Sequence, residues 1–278
     1  MRRVAPCRRS LGGCGEGCSM NTLIGSSAFV TGASQGVGEA VAHALVDAGV
    51  EQIVLAARNL SALERVRVDL ERKGAKVLVQ PLDLKELRSI EQAVAESEAV
   101  FGQIDILVNS GGVTDRGGLL DTSPETFDHI FDTNLRGNFF MMQHVGRLMK
   151  KTGGGVIINI SSMMAHGGLP HLLPYSASKA ALNLITRNAS QALRFDRIRL
   201  HAINLGWTLT PAEHVTQTTQ HGMPEDWAKH EGDKQPFGRL LLPKDPAQLC
   251  VFLASTGAEM MTGTVIDLEQ WVSGVVQG

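Results

Sequence analysis

The stretch SSAFVTGASQGVGEAVAHAL, residues 26–45, decides the fold of this chain. A short apolar run, predicted as the strand Ser27–Val30, passes directly into a glycine-rich turn, and a helical pattern follows at once. Gly32 permits a tight turn, Gly36 lets the backbone approach a pyrophosphate, and Gly38 lets the helix pack closely on the sheet. Because a helix N-terminus attracts anions, this order predicts a nucleotide-binding turn. The turn supplies three further residues that we expect at the phosphates, namely Ser34, Gln35 and Val37.

The rest of the chain alternates apolar runs of strand length with longer helical patterns. This alternation predicts an α/β protein with a doubly wound parallel seven-stranded sheet and helices on both faces. Ligands of such sheets bind beyond the carboxyl ends of the strands. A stretch without strand character, roughly residues 208–236, is predicted to form a lid over that site. The predicted strands are Ser27–Val30, Gln52–Ala56, Lys76–Gln80, Ile104–Val108, Val156–Ile160, Arg199–Ile203 and Thr264–Leu268.

Composition and charge exclude several classes of protein. The 278 residues carry a formal net charge of −2, so the chain lacks the basic field that binds nucleic acid or an anionic membrane surface. No apolar run reaches the roughly 20 residues that cross a bilayer, which predicts a cytoplasmic protein without a membrane partner. We expect residues 20–278 to form one domain, and residues 1–19 to be a disordered extension or the result of a start codon placed too early.

Metal binding is not expected from this sequence. Cys7, Cys14 and Cys18 lack the paired C-x-x-C spacing of a metal site and have no nearby His. The nine histidines show no metal-ligand spacing either. Cys250 stands alone near the other end of the chain, so no disulfide framework is predicted.

The end of the second predicted strand indicates which cofactor is favoured. An acidic residue at this position would bond the adenosine ribose, but the sequence has Ala57 and Arg58 there. A guanidinium pairs well with a 2′-phosphate, so NADP(H) is favoured over NAD(H), although Arg58 can also be an ordinary solvated charge and Gln35 offers no second cation. Asp83 is predicted either to accept from the adenine amino group or to cap the next helix.

The strongest chemical signal is the segment Tyr175-Ser-Ala-Ser-Lys179, which opens a long helical pattern. Residues four apart share one helix face, and Ser162 at the end of the fifth strand brings a hydroxyl to the same edge of the sheet. Hydride transfer to a carbonyl leaves an alkoxide that must be protonated, and a Tyr whose pKa is lowered by nearby positive charge can do this near pH 7. We expect Lys179 and the oxidised nicotinamide to supply that charge, Lys179 also to hold the nicotinamide ribose, and Ser162 to hydrogen-bond the substrate oxygen.

These motifs resemble those of the short-chain dehydrogenase/reductase family, in order and spacing, over about residues 24–270: Thr31–Gly38, Asn109–Gly112, Ser162, Tyr175 and Lys179. The resemblance implies a Rossmann-type domain that binds NAD(P), a small-molecule substrate, and a homotetramer or homodimer. It implies that Asn109 and Gly111 support the sheet and border the adenosine. It also implies that Asn134 holds a water in a proton relay from the Lys.

The segment after the sixth strand takes its expected role from the same resemblance. Asn204–Thr210 occupies the place of a Pro-Gly segment whose backbone and Thr bond the nicotinamide carboxamide, with Leu205 in place of the Pro. Trp207 is expected either to wall the substrate pocket or to pack in the core. Asp267–Trp271 departs from the family's Asp-Gly-Gly, in a region that the resemblance places at a subunit interface. The resemblance also implies cofactor contacts by Leu84, Gly206, Thr208 and Thr210.

The substrate is less well indicated than the chemistry. The expected substrate loops, residues 163–174 and 208–236, carry His166, His171, Glu213 and His214, and this polarity suits a sugar or polyol better than a steroid. The Gly-Trp-x-x-Thr-Pro and Asp-x-Glu-Gln segments resemble a subgroup associated with carbohydrate catabolism.

Two other functions are compatible with the same fold. A 3-oxoacyl (carrier protein) reductase needs a basic patch for an acidic carrier, to which Arg136 and Arg147 can contribute. A non-catalytic NAD(P) sensor has no need to keep Asn134, Ser162, Tyr175 and Lys179 together, so their joint presence favours an enzyme.

Overall fold

The computed structural model of the protein describes residues 23–274. The predictions for residues 1–19, including the cysteine cluster, lie outside the described residues.

The seven predicted strands form one sheet in the order β3-β2-β1-β4-β5-β6-β7. Every neighbouring pair in this sheet is parallel, so the predicted fold class is confirmed. The strands are β1 Ser27–Thr31, β2 Gln52–Ala57, β3 Lys76–Pro81, β4 Ile106–Asn109, β5 Gly155–Ser162, β6 Ile198–Leu205 and β7 Thr264–Leu268.

Helices connect the strands and cover both faces of the sheet. The α-helices are α1 Gly36–Asp47, α2 Leu60–Arg72, α3 Leu87–Phe101, α4 Pro124–Phe131, α5 Asn138–Thr152, α6 Leu173–Leu193, α7 Pro211–Val215, α8 Trp227–Asp233 and α9 Lys244–Ala254. Two π-helical stretches, Asp132–Gly137 and Thr216–Gln220, follow α4 and α7 directly.

The strands are apolar on both sides because the sheet has a core on each face. Successive residues of a strand face opposite sides, and in β1 Val30 packs into one core with Leu55 while Phe29 packs into the other with Val54. All five residues of β1 are buried. Each fully buried side chain of this size contributes about 1.5–3 kcal/mol, so the central strands hold the two layers together.

The boundaries of β4 and β5 differ from the predicted ones. β4 begins at Ile106 rather than at Ile104. Asp105, just before the strand, donates from its N–H to the Ser27 carbonyl at 3.0 Å, and its carboxylate accepts from the Ser27 N–H at 2.8 Å and hydroxyl at 2.9 Å. β5 extends beyond Ile160 to Ser162, so Ser162 stands at the carboxyl end of the strand, as expected.

The order of the strands reverses between β1 and β4, and this opens a crevice at their carboxyl ends. Gly32 and Gly111 meet at this point, since a Cβ on Gly32 would lie 2.8 Å from the Gly111 nitrogen. Gly137, in the first π-helical stretch, packs just as closely on the Leu84 carbonyl. The crevice therefore depends on backbone segments that approach one another without side chains between them.

Candidate active site

Two cavities open at the carboxyl ends of the strands. One, of about 620 Å³, lies along the glycine-rich turn and the ends of β2 and β3, and we name it the glycine-loop cavity. The other, of about 630 Å³, lies over β5 and β6, and we name it the tyrosine cavity. They are joined by five residues that line both, namely Val37, Ser110, Gly112, Val113 and Thr210.

The glycine-rich turn forms a cradle in front of α1. Gly32 and Gly36 have φ of +67° and +60°, a backbone conformation that favours glycine. A Cβ on Gly38 would overlap the Gly32 carbonyl oxygen, so α1 packs directly on the turn. Gln35 at the N-cap makes no side-chain capping bond, which leaves the first backbone N–H groups of α1 free to bind a phosphate. The cradle therefore fits the pyrophosphate of a dinucleotide.

Two arginines line the far end of the glycine-loop cavity. Arg58 follows β2 as predicted, and Arg65 reaches the same cavity from α2. The Arg65 guanidinium lies 3.5 Å from the Ser34 carbonyl oxygen and 3.5 Å from a Glu39 carboxylate oxygen. Sequence analysis missed Arg65 because an exposed arginine on a helix is usually a solvated charge. Arg65 follows Arg58 by seven residues, the length of two helical turns, and this spacing was the one signal in the sequence that the two side chains could share a site.

The predicted contacts near the adenosine divide into residues that line the cavity and one that does not. Asp83, Leu84 and Gly111 line it. The alternative that Asp83 caps the next helix is wrong, because α3 has Glu86 at its N-cap and the Asp83 carboxylate accepts from the Lys85 N–H at 3.0 Å. Asn109 lines neither cavity; it is buried and donates to the Asn159 side chain at 2.8 Å, which joins β4 to β5.

Tyr175, Lys179 and Ser162 line the tyrosine cavity together. Tyr175 is the third residue of α6, which begins at Leu173 with Pro174 in its first turn. Lys179 lies one turn further on, with its Nζ 5.8 Å from the centre of the Tyr175 ring and donating to the Ile160 carbonyl oxygen at 2.9 Å. Ser162 approaches from the end of β5, where its hydroxyl accepts from the Met164 N–H at 3.2 Å.

Burial controls the protonation of both titratable groups. Burial raises the pKa of Tyr175 above its ordinary value; a hydrogen bond with Ser162 lowers that pKa, and the Glu213 charge raises it. Burial also lowers the pKa of Lys179 to about 8. The expected lowering of the Tyr175 pKa by Lys179 is therefore not found in the chain alone. An additional positive charge in the cavity is needed to bring the phenol into the neutral range.

The titration of Tyr175 can be read directly, because it is the single tyrosine of the chain. We expect tyrosinate absorbance of the free folded protein to rise above pH 10, since burial raises the pKa of Tyr175 above its ordinary value of 10 and Lys179, with a pKa of about 8, has already lost its charge there. The folded pKa is raised, so this group's contribution to the free energy of unfolding is complete below pH 10 and is lost as the pH rises through the folded pKa. Urea-unfolded protein serves as the reference, and a folded midpoint below the unfolded one would contradict the expectation.

Asn134 lies behind the cavities rather than in their lining. Its side chain is buried, accepts from the Val113 N–H at 2.8 Å and donates to the Val113 carbonyl at 2.9 Å. A Cβ on Gly112 would lie 3.1 Å from the Asn134 Oδ1 and 3.5 Å from the Lys179 Nζ, so both groups approach the same glycine. Asn134 thus fixes the loop after β4 beside Lys179, and its role in a proton relay stays a prediction.

The segment after β6 joins the two cavities. Gly206, Thr208 and Thr210 line the tyrosine cavity, and Thr210 also lines the glycine-loop cavity. The Thr210 hydroxyl caps α7 by accepting from the Glu213 N–H at 3.1 Å. Trp207 also lines the cavity, where its Nε1 donates to Glu213 at 2.8 Å.

The predicted lid, residues 208–236, is a packed helical cover. It contains α7, a π-helical stretch and α8, and the side chain of Trp227 is fully buried in it. The C-terminal segment holds this cover in place, because Trp271 donates to Gln235 at 2.9 Å and Gln270 donates to the Arg239 carbonyl at 2.7 Å. The segment Asp267–Trp271, which departs from Asp-Gly-Gly, therefore supplies contacts to the lid.

Of the four polar residues predicted in the substrate loops, two line the tyrosine cavity and two do not. His171 and Glu213 line the tyrosine cavity, whereas His166 bonds Asp267 at 2.9 Å and His214 accepts from the Trp227 Nε1 at 3.1 Å. Further polar residues that sequence analysis did not single out also line the cavity, among them Arg116, Gln217 and His221. Arg116 lies in the loop after β4, whereas Gln217 and His221 lie in and directly after the second π-helical stretch, and no local pattern marks them.

Residues 23–274 contain no group of three or more His, Cys, Asp or Glu side chains that could hold a metal ion. In the same range, no helix is long and apolar enough to span a membrane.

The chain matches a family model and a named relative over most of its length. The family model described as "Enoyl-(Acyl carrier protein) reductase" matches residues 32–270. A protein of Picea abies named "Short-chain type dehydrogenase/reductase" is 32% identical over 252 residues, which cover 88% of this chain and 91% of the relative.

Solved structures resemble the chain over most of its length. L-sorbose reductase from Gluconobacter frateurii, complexed with NADPH and L-sorbose, has a TM-score of 0.86 at 26% identity and covers 92% of this chain and 100% of its own. A 7α-hydroxysteroid dehydrogenase complexed with NADH has a TM-score of 0.83 at 27% identity and covers 93% of this chain and 97% of its own. Both neighbours hold a nicotinamide cofactor, which is NADPH in the first and NADH in the second.

Proposed function

The chain belongs to the short-chain dehydrogenase/reductase family of oxidoreductases, and we propose that it transfers a hydride between NADP(H) and a carbonyl or secondary alcohol of a polyhydroxylated small molecule. The observation that carries this proposal is the convergence of Tyr175, Lys179 and Ser162 in a cavity that opens onto the glycine-loop cavity.

The chemistry assigns a task to each converging side chain. The nicotinamide, when bound, supplies or accepts the hydride. The Tyr175 hydroxyl donates a proton to the carbonyl oxygen during reduction and takes it back during alcohol oxidation. Ser162 donates a hydrogen bond to the same oxygen and so fixes the carbonyl beside the phenol. Lys179 uses one N–H on the Ile160 carbonyl, which leaves its other donors for a ribose hydroxyl.

The preference for NADP(H) rests on Arg58 and Arg65. Both side chains are exposed and line the same end of the glycine-loop cavity, where a 2′-phosphate would receive charge-assisted hydrogen bonds from two guanidinium groups. Residues 56–59 offer no acidic side chain that would repel this phosphate. Arg65 of α2 is the second cation that Gln35 does not provide, and its charge is shared with the Glu39 carboxylate at 3.5 Å.

The polar lining of the tyrosine cavity supports a polyhydroxylated substrate. His171, Glu213 and Gln217 line it beside apolar residues such as Met163 and Leu172. Hydroxyl groups can both donate to the Glu213 carboxylate and accept from the Gln217 amide. The structural neighbour that binds L-sorbose has the same fold.

Nicotinamide absorbance during turnover tests the proposal. The wild-type protein is assayed with NADPH and NADH against ketose sugars, a steroid ketone and a 3-oxoacyl thioester. We expect reduction of ketoses with NADPH to exceed every other combination by at least about 10-fold in kcat/KM, in line with one charge-assisted contact. Faster turnover of the thioester would instead favour the carrier-dependent reductase.

The carrier-dependent alternative is not favoured. Arg136 lies 3.8 Å from the Asp132 carboxylate and donates to the Lys85 carbonyl at 3.2 Å, so its charge is already partly matched within the chain. Arg147 lies three turns further along the same continuous helix. A binding patch for an acidic carrier needs several adjacent unmatched cations. A non-catalytic sensor is the weaker alternative, because the four predicted catalytic residues are all retained.

We further propose a homotetramer or homodimer. Exposed apolar side chains on the outer helices, among them Phe139 of α5 and Leu184 of α6, offer surface that a second copy can bury. The cytoplasmic location stays a prediction.

A further inference from the structure

The tyrosine cavity contains a guanidinium whose Nε has no hydrogen-bond acceptor among the described residues. Arg116, in the loop between β4 and α4, is half-buried and lines the cavity. Its Nε is buried without a hydrogen-bond partner, and Arg116 forms no ion pair within residues 23–274. The neighbouring Asp115 lies near His129 instead. Because an unmet buried donor costs free energy, a bound group that accepts from Arg116 is favoured.

The backbone holds Arg116 close to the start of α6. The next residue, Gly117, donates from its N–H to the His171 carbonyl at 2.8 Å and accepts from the Leu173 N–H at 3.2 Å. Tyr175 follows Leu173 by two residues in the same helix. The cation and the phenol are thus carried by two segments that are hydrogen-bonded to each other, which fixes their separation.

The acidic residues of the cavity come from other elements. Glu213 lies in α7 and Glu269 follows β7. The Glu213 Oε1 accepts from Trp207 at 2.8 Å and from Gln217 at 2.7 Å. These carboxylates repel an anion at their own side of the cavity and accept well from hydroxyl groups. The cavity lining therefore combines a guanidinium that suits an anion with carboxylates, carried by other elements, that suit neutral hydroxyls.

We propose that Arg116 binds a carboxylate at one end of the substrate, so that the preferred substrates are keto and hydroxy acids of sugars rather than neutral sugars. A planar guanidinium forms two parallel hydrogen bonds with a carboxylate. His171, exposed beside it in the same cavity, adds a second donor. This inference rests on the proposed function and names the substrate class of the same site.

A matched pair of substrates isolates the contribution of the carboxylate to kcat/KM. 5-Keto-D-gluconate and L-sorbose share the ketone and the hydroxyl configuration and differ only at the far carbon, which is a carboxylate in one and a hydroxymethyl group in the other. NADPH-dependent reduction of both is measured for the wild type, Arg116→Ala, Arg116→Lys and Arg147→Ala. Arg147 is the control, because it is exposed on α5 and lines neither cavity.

We expect the wild type to prefer the keto acid, and the ratio of the two kcat/KM values to fall about 10- to 100-fold in Arg116→Ala, mainly through KM. Arg116→Lys should lower this ratio less than Arg116→Ala does, and Arg147→Ala should leave the ratio unchanged. NADPH titration checks that each variant is folded. Equal kcat/KM for both substrates in the wild type, or an equal loss for both in Arg116→Ala, would overturn the inference and leave the proposed function standing. No reduction of any ketose despite cofactor binding overturns the proposed function itself.

Discussion

Tyr175→Phe should lower kcat about 1000-fold while the NADPH dissociation constant changes less than about 3-fold. The substitution removes one hydroxyl, and proton transfer by a positioned group contributes about 100- to 10,000-fold to the rate. Tyr175 lines the tyrosine cavity and not the glycine-loop cavity, so most cofactor contacts should survive. Single-turnover absorbance measures the rate, and NADPH fluorescence measures binding.

Ser176→Ala is the matched control for the loss of a hydroxyl. Ser176 adjoins Tyr175 on α6, lines neither cavity, and has a buried hydroxyl oxygen without a partner among the described residues. Its removal should leave kcat within about 3-fold, since no hydrogen bond is lost. If Tyr175→Phe retained more than a tenth of the wild-type rate, another group would have to move the proton.

The double variant Arg58→Ala/Arg65→Ala should raise the NADPH dissociation constant about 100-fold or more and the NADH constant less than about 3-fold. Each charge-assisted hydrogen bond to a phosphate contributes about 1.5–3 kcal/mol, or roughly 10- to 100-fold in affinity. Both guanidinium groups line one end of the glycine-loop cavity, where the single variants should show intermediate losses.

Arg72→Ala is the control for a charge lost from the same helix. Its side chain is 75% exposed, pairs with Asp69 within α2 and lines neither cavity, so NADPH affinity should not respond. Fluorescence titration at fixed ionic strength measures all constants, because exposed charges are screened by salt. An equal loss of NADH and NADPH affinity would show that the arginines stabilise the turn rather than read the phosphate.

The sheet was predictable from the sequence because its strands are buried on both faces. Such strands are nearly continuous apolar runs, and Ile53–Ala57 in β2 is buried throughout. The start of β4 was not predictable, because Ile104 is apolar and fully buried yet precedes the strand. Asp105, between Ile104 and the strand, is bonded to Ser27, 78 residues away, through backbone and side chain, and no local pattern displays that contact.

The candidate site was predictable where its residues follow a fixed local pattern. The glycines of the turn and the Tyr175–Lys179 pair need short spacings, which a sequence displays directly. Arg65 and Arg116 enter the cavities from a helix face and a loop whose positions depend on long-range packing. Asn109 joins β4 to β5, as its expected support of the sheet requires, but it lines neither cavity, which a strand-end position alone does not reveal.

The reversal of strand order between β1 and β4 separates, along the sequence, several residues that line only one of the two cavities. Gly32, Arg58 and Asp83, which line only the glycine-loop cavity, precede residue 84, whereas Arg116, Tyr175 and Glu213, which line only the tyrosine cavity, follow residue 110. Substitutions at residues 114–116 and 163–172 can therefore change the surroundings of a substrate without altering any residue that lines the glycine-loop cavity.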